Sequence, residues 1–148
     1  VATKRSAPPG HSGIGTTLTA NILAMKAMRA TLSEIMTPAT FAPMHQLAHV
    51  LANGLEAIIQ KHQLPWCVSQ VGARAEFQFC AIRPQNGSQA EAAMNPALEQ
   101  YLHLYLLNRS VLITPFHNMM LICPATRPEN VQQLLNCFDQ ALSSLVID

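Results

Sequence analysis

Charge is scarce in this sequence: 11% of its 148 residues are Asp, Glu, Lys or Arg, and the formal net charge at pH 7 is +1. The nine Lys and Arg are scattered without aromatic interleaving, which argues against a nucleic-acid-binding surface. Cysteine is sparse too. Cys67, Cys80, Cys123 and Cys137 lie far apart along the chain, with no C-x-x-C and no His at ligand spacing, so neither a zinc site nor a disulfide framework is suggested. They read as buried thiols in a reducing compartment. No run of eighteen apolar residues and no signal-peptide pattern at the present start is found, so no membrane is expected and the cytoplasm is the default location. A P-loop, a dinucleotide fingerprint and a nucleophile elbow are all absent, as are internal repeats, low-complexity tracts and heptads.

What is abundant is apolar surface. At 49% hydrophobic, the chain has enough for the core of one domain and a surplus that expects a partner. Val1 to Gly13, with Pro8, Pro9 and Gly10, reads as loop. From Asn21 to about Met36, Leu23, Ala24, Ala27, Met28 and Leu32 recur at helical spacing, and Pro38 ends the run. A second helix is predicted from about Pro43 to His62, its start marked by Thr40 or Ala42, on Met44, Leu47, Val50, Leu51, Leu55 and Ile58. Trp66–Val71 and Ala75–Ile82 alternate as strands around a bend at Gly72, the second with Ala75, Phe77, Phe79 and Ala81 on a dry face.

Arg83 to Ser88 reads as loop, and Asn95-Pro96 opens a helix to about Asn108 on Leu98, Tyr101, Leu102, Tyr105 and Leu106. Short strands at Val111–Thr114 and Met119–Ile122 flank a Pro115-Phe116-His117-Asn118 turn. Thr126-Arg127-Pro128-Glu129 then has the form of a capping box, opening a last helix to about Leu145 on Val131, Leu134, Leu135, Phe138 and Leu142. This order predicts an α+β fold with helices packed on a small antiparallel sheet. Such an order is shared by many functions and carries no chemistry.

The chemistry lies near the start. Gly13-Ile14-Gly15-Thr16-Thr17-Leu18-Thr19-Ala20-Asn21-Ile22-Leu23-Ala24 joins a hydroxyl-rich turn to a helix, where free amides and the helix dipole favour an oxyanion. Thr and Asn in this position are also ordinary helix caps. The string resembles the G-T-L-x-G-N-x-L-A segment of class III aminotransferases, pyridoxal-phosphate enzymes that include the glutamate-1-semialdehyde aminomutases. Thr17 falls on the family's phosphate-binding threonine and Asn21 on its Asn, while Ala20 stands where Gly is usual. The resemblance continues through Ala27–Leu32, Val71–Phe77, Asn108–Pro115 and Pro124–Thr126, over most of the chain.

The resemblance implies that residues 1–20 are a loop and phosphate-contacting turn from a large domain. Residues 21–148 are then a connecting helix and the C-terminal small domain of a fold type I enzyme. It implies pyridoxal 5'-phosphate as cofactor, with Thr17, assisted by Thr16, hydrogen-bonding a phosphate held mainly by the other subunit of a homodimer. The family's Schiff-base lysine and its aspartate partner lie upstream of the threonine turn, and none of Lys4, Lys26 and Lys61 stands in that setting. The chain, beginning at Val1 rather than Met, therefore reads as the C-terminal part of a longer enzyme, inactive without its N-terminal large domain.

Three residues are candidates for an amino acid or amine substrate. Arg74 follows Gly72 on a segment that in the resembled fold runs toward the active-site entrance, where a guanidinium forks onto a carboxylate. Glu76, two residues on, shares its strand face, so the two are equally able to pair with each other. His117 sits in the turn that borders the family's active site, as a substrate contact or as a surface His satisfied by water or backbone. The alternative of a different class is a non-catalytic α+β interaction domain that binds a protein through its apolar faces.

Overall fold

Asn21 opens the first helix. Its Oδ1 accepts the Ala24 amide hydrogen at 3.0 Å, and α1 follows over Ile22–Ala30. The computed structural model describes residues 21–114 and 118–145. Two compact units divide the chain, residues 1–38 and 39–148.

In the first unit the predicted helix changes pitch: Thr31–Ile35 form a π-helical turn, closed by Met36 N–H donating to the Thr31 carbonyl at 2.9 Å. The Thr31 and Ser33 hydroxyls donate back to the Ala27 and Arg29 carbonyls, each at 2.9 Å, and such back-bonding loosens an α-helical ladder. No residue of α1 is buried, and Ile22, Leu23, Met25 and Met28 are exposed.

The second helix, α2, spans Pro38–Lys61. Pro38 therefore starts a helix as well as ending one, because a first-turn proline gives up only an amide that the helix leaves unbonded. The expected start near Pro43 was late, and Pro43 is accommodated inside the helix. The buried stripe is Ala48, Leu51, Ala52, Leu55 and Ile59, with Met44, Leu47 and Ile58 half-buried at its margins. Val50, expected in the stripe, is exposed. Gln63 turns left-handed (φ 54°) so that Leu64 N–H closes the helix on the Ile59 carbonyl at 3.1 Å.

Three antiparallel strands follow in the order β1-β2-β3: β1 Cys67–Val71, β2 Arg74–Gln78 and β3 Met119–Leu121. Gly72, at φ 57°, supplies the left-handed residue of the two-residue hairpin that pairs Val71 with Arg74. The second strand stops at Gln78 rather than Ile82. Continuing the register would set Pro65, which has no N–H, opposite Cys80. Val68, Ala75, Phe77 and Met120 are buried on the dry face. Phe77 lies among Trp66, Phe79 and Phe138, with ring centroids 6.1, 6.0 and 5.0 Å away.

The segment read as loop, Arg83 to Ser88, runs into a short helix, α3 Gly87–Ala92, whose cap Asn86 accepts the Gln89 amide hydrogen at 3.0 Å. Asn95 caps α4, Pro96–Leu107, as predicted. Val111–Thr114 is not a strand. Val111 N–H is spent closing α4 on the Leu106 carbonyl across left-handed Ser110 (φ 61°), and only Thr114 reaches toward Met119.

The last helix, α5, is Pro128–Ser143. Its start differs from the predicted capping box. Thr126 Oγ1 accepts from Cys123 N–H in the preceding turn, and Asn130 rather than Glu129 reaches back, accepting Arg127 N–H at 2.9 Å. Val131, Leu135, Phe138, Ala141 and Leu142 carry it into the core, and Tyr101 of α4 donates to the Ala141 carbonyl at 3.0 Å. A Cβ at Gly54 of α2 would sit 2.5 Å from Leu135 Cδ1, so the glycine makes room for α5. The architecture is the predicted α+β one, helices on a small antiparallel sheet. The thiols correct the sequence reading: Cys137 alone is buried, Cys67 and Cys80 are half-buried, and Cys123 is exposed.

Candidate functional site

The wet face of the sheet carries the ionisable groups. Strand alternation turns Ala75 and Phe77 into the core and leaves Arg74, Glu76 and Gln78 on the opposite face. There the Arg74 guanidinium donates to Glu76 Oε2 at 2.5 Å, with half of the Arg74 side chain in solvent and only 15% of Glu76. One of the five guanidinium donors is named in that bond, so the fork can still present an edge to a carboxylate.

Glu76 and Gln78 also line a cavity of about 220 Å3 roofed by α3 and the start of α4, with Glu91, Met94, Glu99 and Asn118. Glu99 is only 9% exposed and Asn118 only 4%. Sequence reasoning did not single out either one as a site residue. Glu99 stands three and seven residues before Leu102 and Leu106, on the helix face that turned out buried, and that spacing was the available signal. Asn118 adopts φ 47°, a conformation that Asn tolerates better than most residues.

Thr16, Thr17 and His117 lie outside the described residues. The structure brings Arg74 and Glu76 together. Asn21, the first described residue, is a helix cap. Among the described residues, Lys26 is exposed on α1, and Lys61 is engaged with Asp139 at 2.7 Å.

A second ionisable cluster joins the end of α2 to α5. Lys61 and His62 both reach Asp139, at 2.7 and 2.8 Å, and these hydrogen bonds, Lys61 first, hold the carboxyl below its ordinary range. The cluster reads as a clamp between helices. Among the described residues no group of three or more His, Cys, Asp or Glu is arranged to hold a metal, and no helix is long and apolar enough to cross a membrane.

No protein-family model matches the chain. Individual proteins do. A glutamate-1-semialdehyde 2,1-aminomutase of Staphylococcus saprophyticus is 31% identical over 144 residues, 95% of this chain and 33% of that protein. A glutamate-1-semialdehyde aminomutase variant from Pseudomonas aeruginosa PAO1, solved in complex with PMP, superposes with a TM-score of 0.87 at 44% identity, over 98% of this chain and 33% of that one. This chain is similar to glutamate-1-semialdehyde aminomutases. It spans about a third of the length of these relatives. A β-phenylalanine aminotransferase from Variovorax paradoxus, 22% identical over 92% of this chain and 30% of its own, shares the fold with a TM-score of 0.75.

Proposed function

We propose that this chain is the C-terminal part of a pyridoxal-phosphate-dependent enzyme of the class III aminotransferase type, which moves an amino group between an amino acid or amine and a carbonyl acceptor. The observation that carries the reading is the 44% identity and 0.87 TM-score, over 98% of the chain, to an aminomutase solved with PMP. The cofactor supplies the electron sink for the chemistry.

In this reading residues 1–20 belong to the large domain, and residues 21–148 form the connecting helix and small domain. Thr17, with Thr16 beside it, donates to the cofactor phosphate across a homodimer interface, upstream of the Asn21 cap. Arg74 forks onto a substrate carboxylate, while Glu76 and His117 border the same entrance. The lysine that binds the cofactor comes from the rest of the longer protein, as the resemblance implies.

The exposed apolar side chains of α1 support the same reading, because Ile22, Leu23, Met25 and Met28 at helical spacing need a covering surface. A cytoplasmic location goes with it and fits four free thiols. The test is the visible absorption of the full-length protein with pyridoxal phosphate, before and after an amino acid is added. A protein-bound band that shifts on addition is expected. No band in the full-length protein would leave an interaction domain.

A further inference from the structure

Cys67 and Cys80 are separated by a strand and a hairpin in sequence, yet their sulfurs lie 3.9 Å apart. Both side chains are half-buried. The β2 ladder has ended at Gln78, so Cys80 sits in a bend without strand pairing, and its thiol donates only a weak bond to the Ile82 carbonyl at 3.3 Å. Each residue lines an opening. A cavity of about 340 Å3 with Trp66 and Arg83 reaches Cys67, and another of about 410 Å3 with Phe79 and Gln85 reaches Cys80.

We infer that Cys67 and Cys80 form a dithiol site that closes to an intrachain disulfide by exchange with a low-molecular-weight disulfide. Sulfurs already near contact need only side-chain rotation and a small adjustment of the 79–82 bend to reach the bonded separation of roughly 2.05 Å. This inference stands independently of the aminotransferase reading.

Exchange begins at Cys80. Burial, followed by the hydrogen bond and charge of Cys80, pushes the Cys67 thiol up to about 11, so Cys67 is a poor first nucleophile near neutrality. The Cys80 thiolate attacks one sulfur of the small disulfide, the S–S bond breaks, and one small thiol departs with the proton that Cys80 released. Once Cys80 carries the mixed disulfide, two of the three influences raising Cys67 are gone, and Arg83 still pulls the other way. The Cys67 thiolate then attacks Cys80 Sγ, and the second small thiol leaves with the Cys67 proton. Two protein thiols are oxidised by two electrons, and one disulfide is reduced to two thiols. Closure also removes the Cys67 thiol from Gln78 Oε1, 3.6 Å away, on the wall of the Glu76 cavity.

The test is to incubate the full-length protein anaerobically with excess oxidised glutathione, alkylate the remaining thiols and map the peptides by mass spectrometry. The expected result is a linked Cys67–Cys80 peptide pair, two hydrogens lighter, with little glutathione retained on either residue. Cys67→Ser should trap glutathione on Cys80, raising that adduct at least about tenfold over wild type. Cys123, exposed and with its thiol shifted toward ionisation by the Thr126 hydroxyl, has no described thiol partner and marks that the oxidant has reacted. Glutathione on Cys123 with Cys67 and Cys80 both alkylated as free thiols overturns the inference. So does a Cys80 adduct as abundant in wild type as in Cys67→Ser. If the variant does not fold, the wild-type map decides alone.

Discussion

The Arg74 guanidinium lies against the Glu76 carboxylate two positions further along the same strand face, while Glu76 also lines the cavity beneath α3 and α4. An arginine paired on one edge and half open to solvent can bind a second carboxylate; one that serves only to neutralise Glu76 leaves substrate binding unchanged. Kinetics separate the two roles. In the full-length enzyme, Arg74→Ala should raise KM for amino donors bearing a carboxylate on the order of tenfold, the loss of one charge-assisted contact. KM for a simple amine should stay within about twofold. Equal changes for both substrates would assign Arg74 to the strand alone.

Asp139 links stability to pH. Its carboxyl is held below the ordinary value of 3.8 by Lys61 and then His62. The folded state therefore binds its proton more weakly than the unfolded chain, and the stabilisation is present above that value and lost as the pH falls below it. Asp139→Asn should cost up to about 1 kcal/mol at pH 7, as partly exposed ion pairs do. Denaturation curves of variant and wild type should converge in acid. A difference that persists unchanged at low pH would mean the clamp acts through packing rather than charge.

Gly54 faces Leu135, and a methyl at Gly54 would overlap its side chain. Gly54→Ala brings a helix-propensity gain of about 1 kcal/mol against an overpacking cost of about 1–3 kcal/mol, so a net loss of stability is expected. In a Leu135→Ala background the same substitution should cost less, with a coupling of at least about 0.5 kcal/mol in the double-mutant cycle. Additive effects would place the strain elsewhere.

Much of the fold could be read from the sequence because its signals were local. Asn21 and Asn95 are helix caps, and Val131, Leu135, Phe138 and Leu142 hold a helical spacing that the core confirms. The misreadings came where a residue has two uses. Pro38 both ends and begins a helix, and Val111 belongs to a helix terminus although its β-branched neighbours suggest a strand. Thr126, expected as the cap, is taken by the turn at Cys123, and Asn130 takes the place expected of Glu129. The Arg74–Glu76 pairing was legible from strand parity. Glu99 was legible only through its spacing to Leu102 and Leu106, and the Cys67–Cys80 approach depends on packing that no spacing rule reaches.

That Thr17, upstream of α1 in the sequence, holds the phosphate of pyridoxal phosphate is the proposal on which the functional reading rests. Titrating the full-length protein with the cofactor, and comparing Thr17→Ala and Thr17→Ser, tests it most directly. The account predicts that Thr17→Ala weakens cofactor binding by on the order of tenfold, as loss of a hydrogen bond to a charged group should, and that Thr17→Ser restores most of it. Unchanged cofactor affinity in Thr17→Ala, or equal loss in both variants, would contradict it.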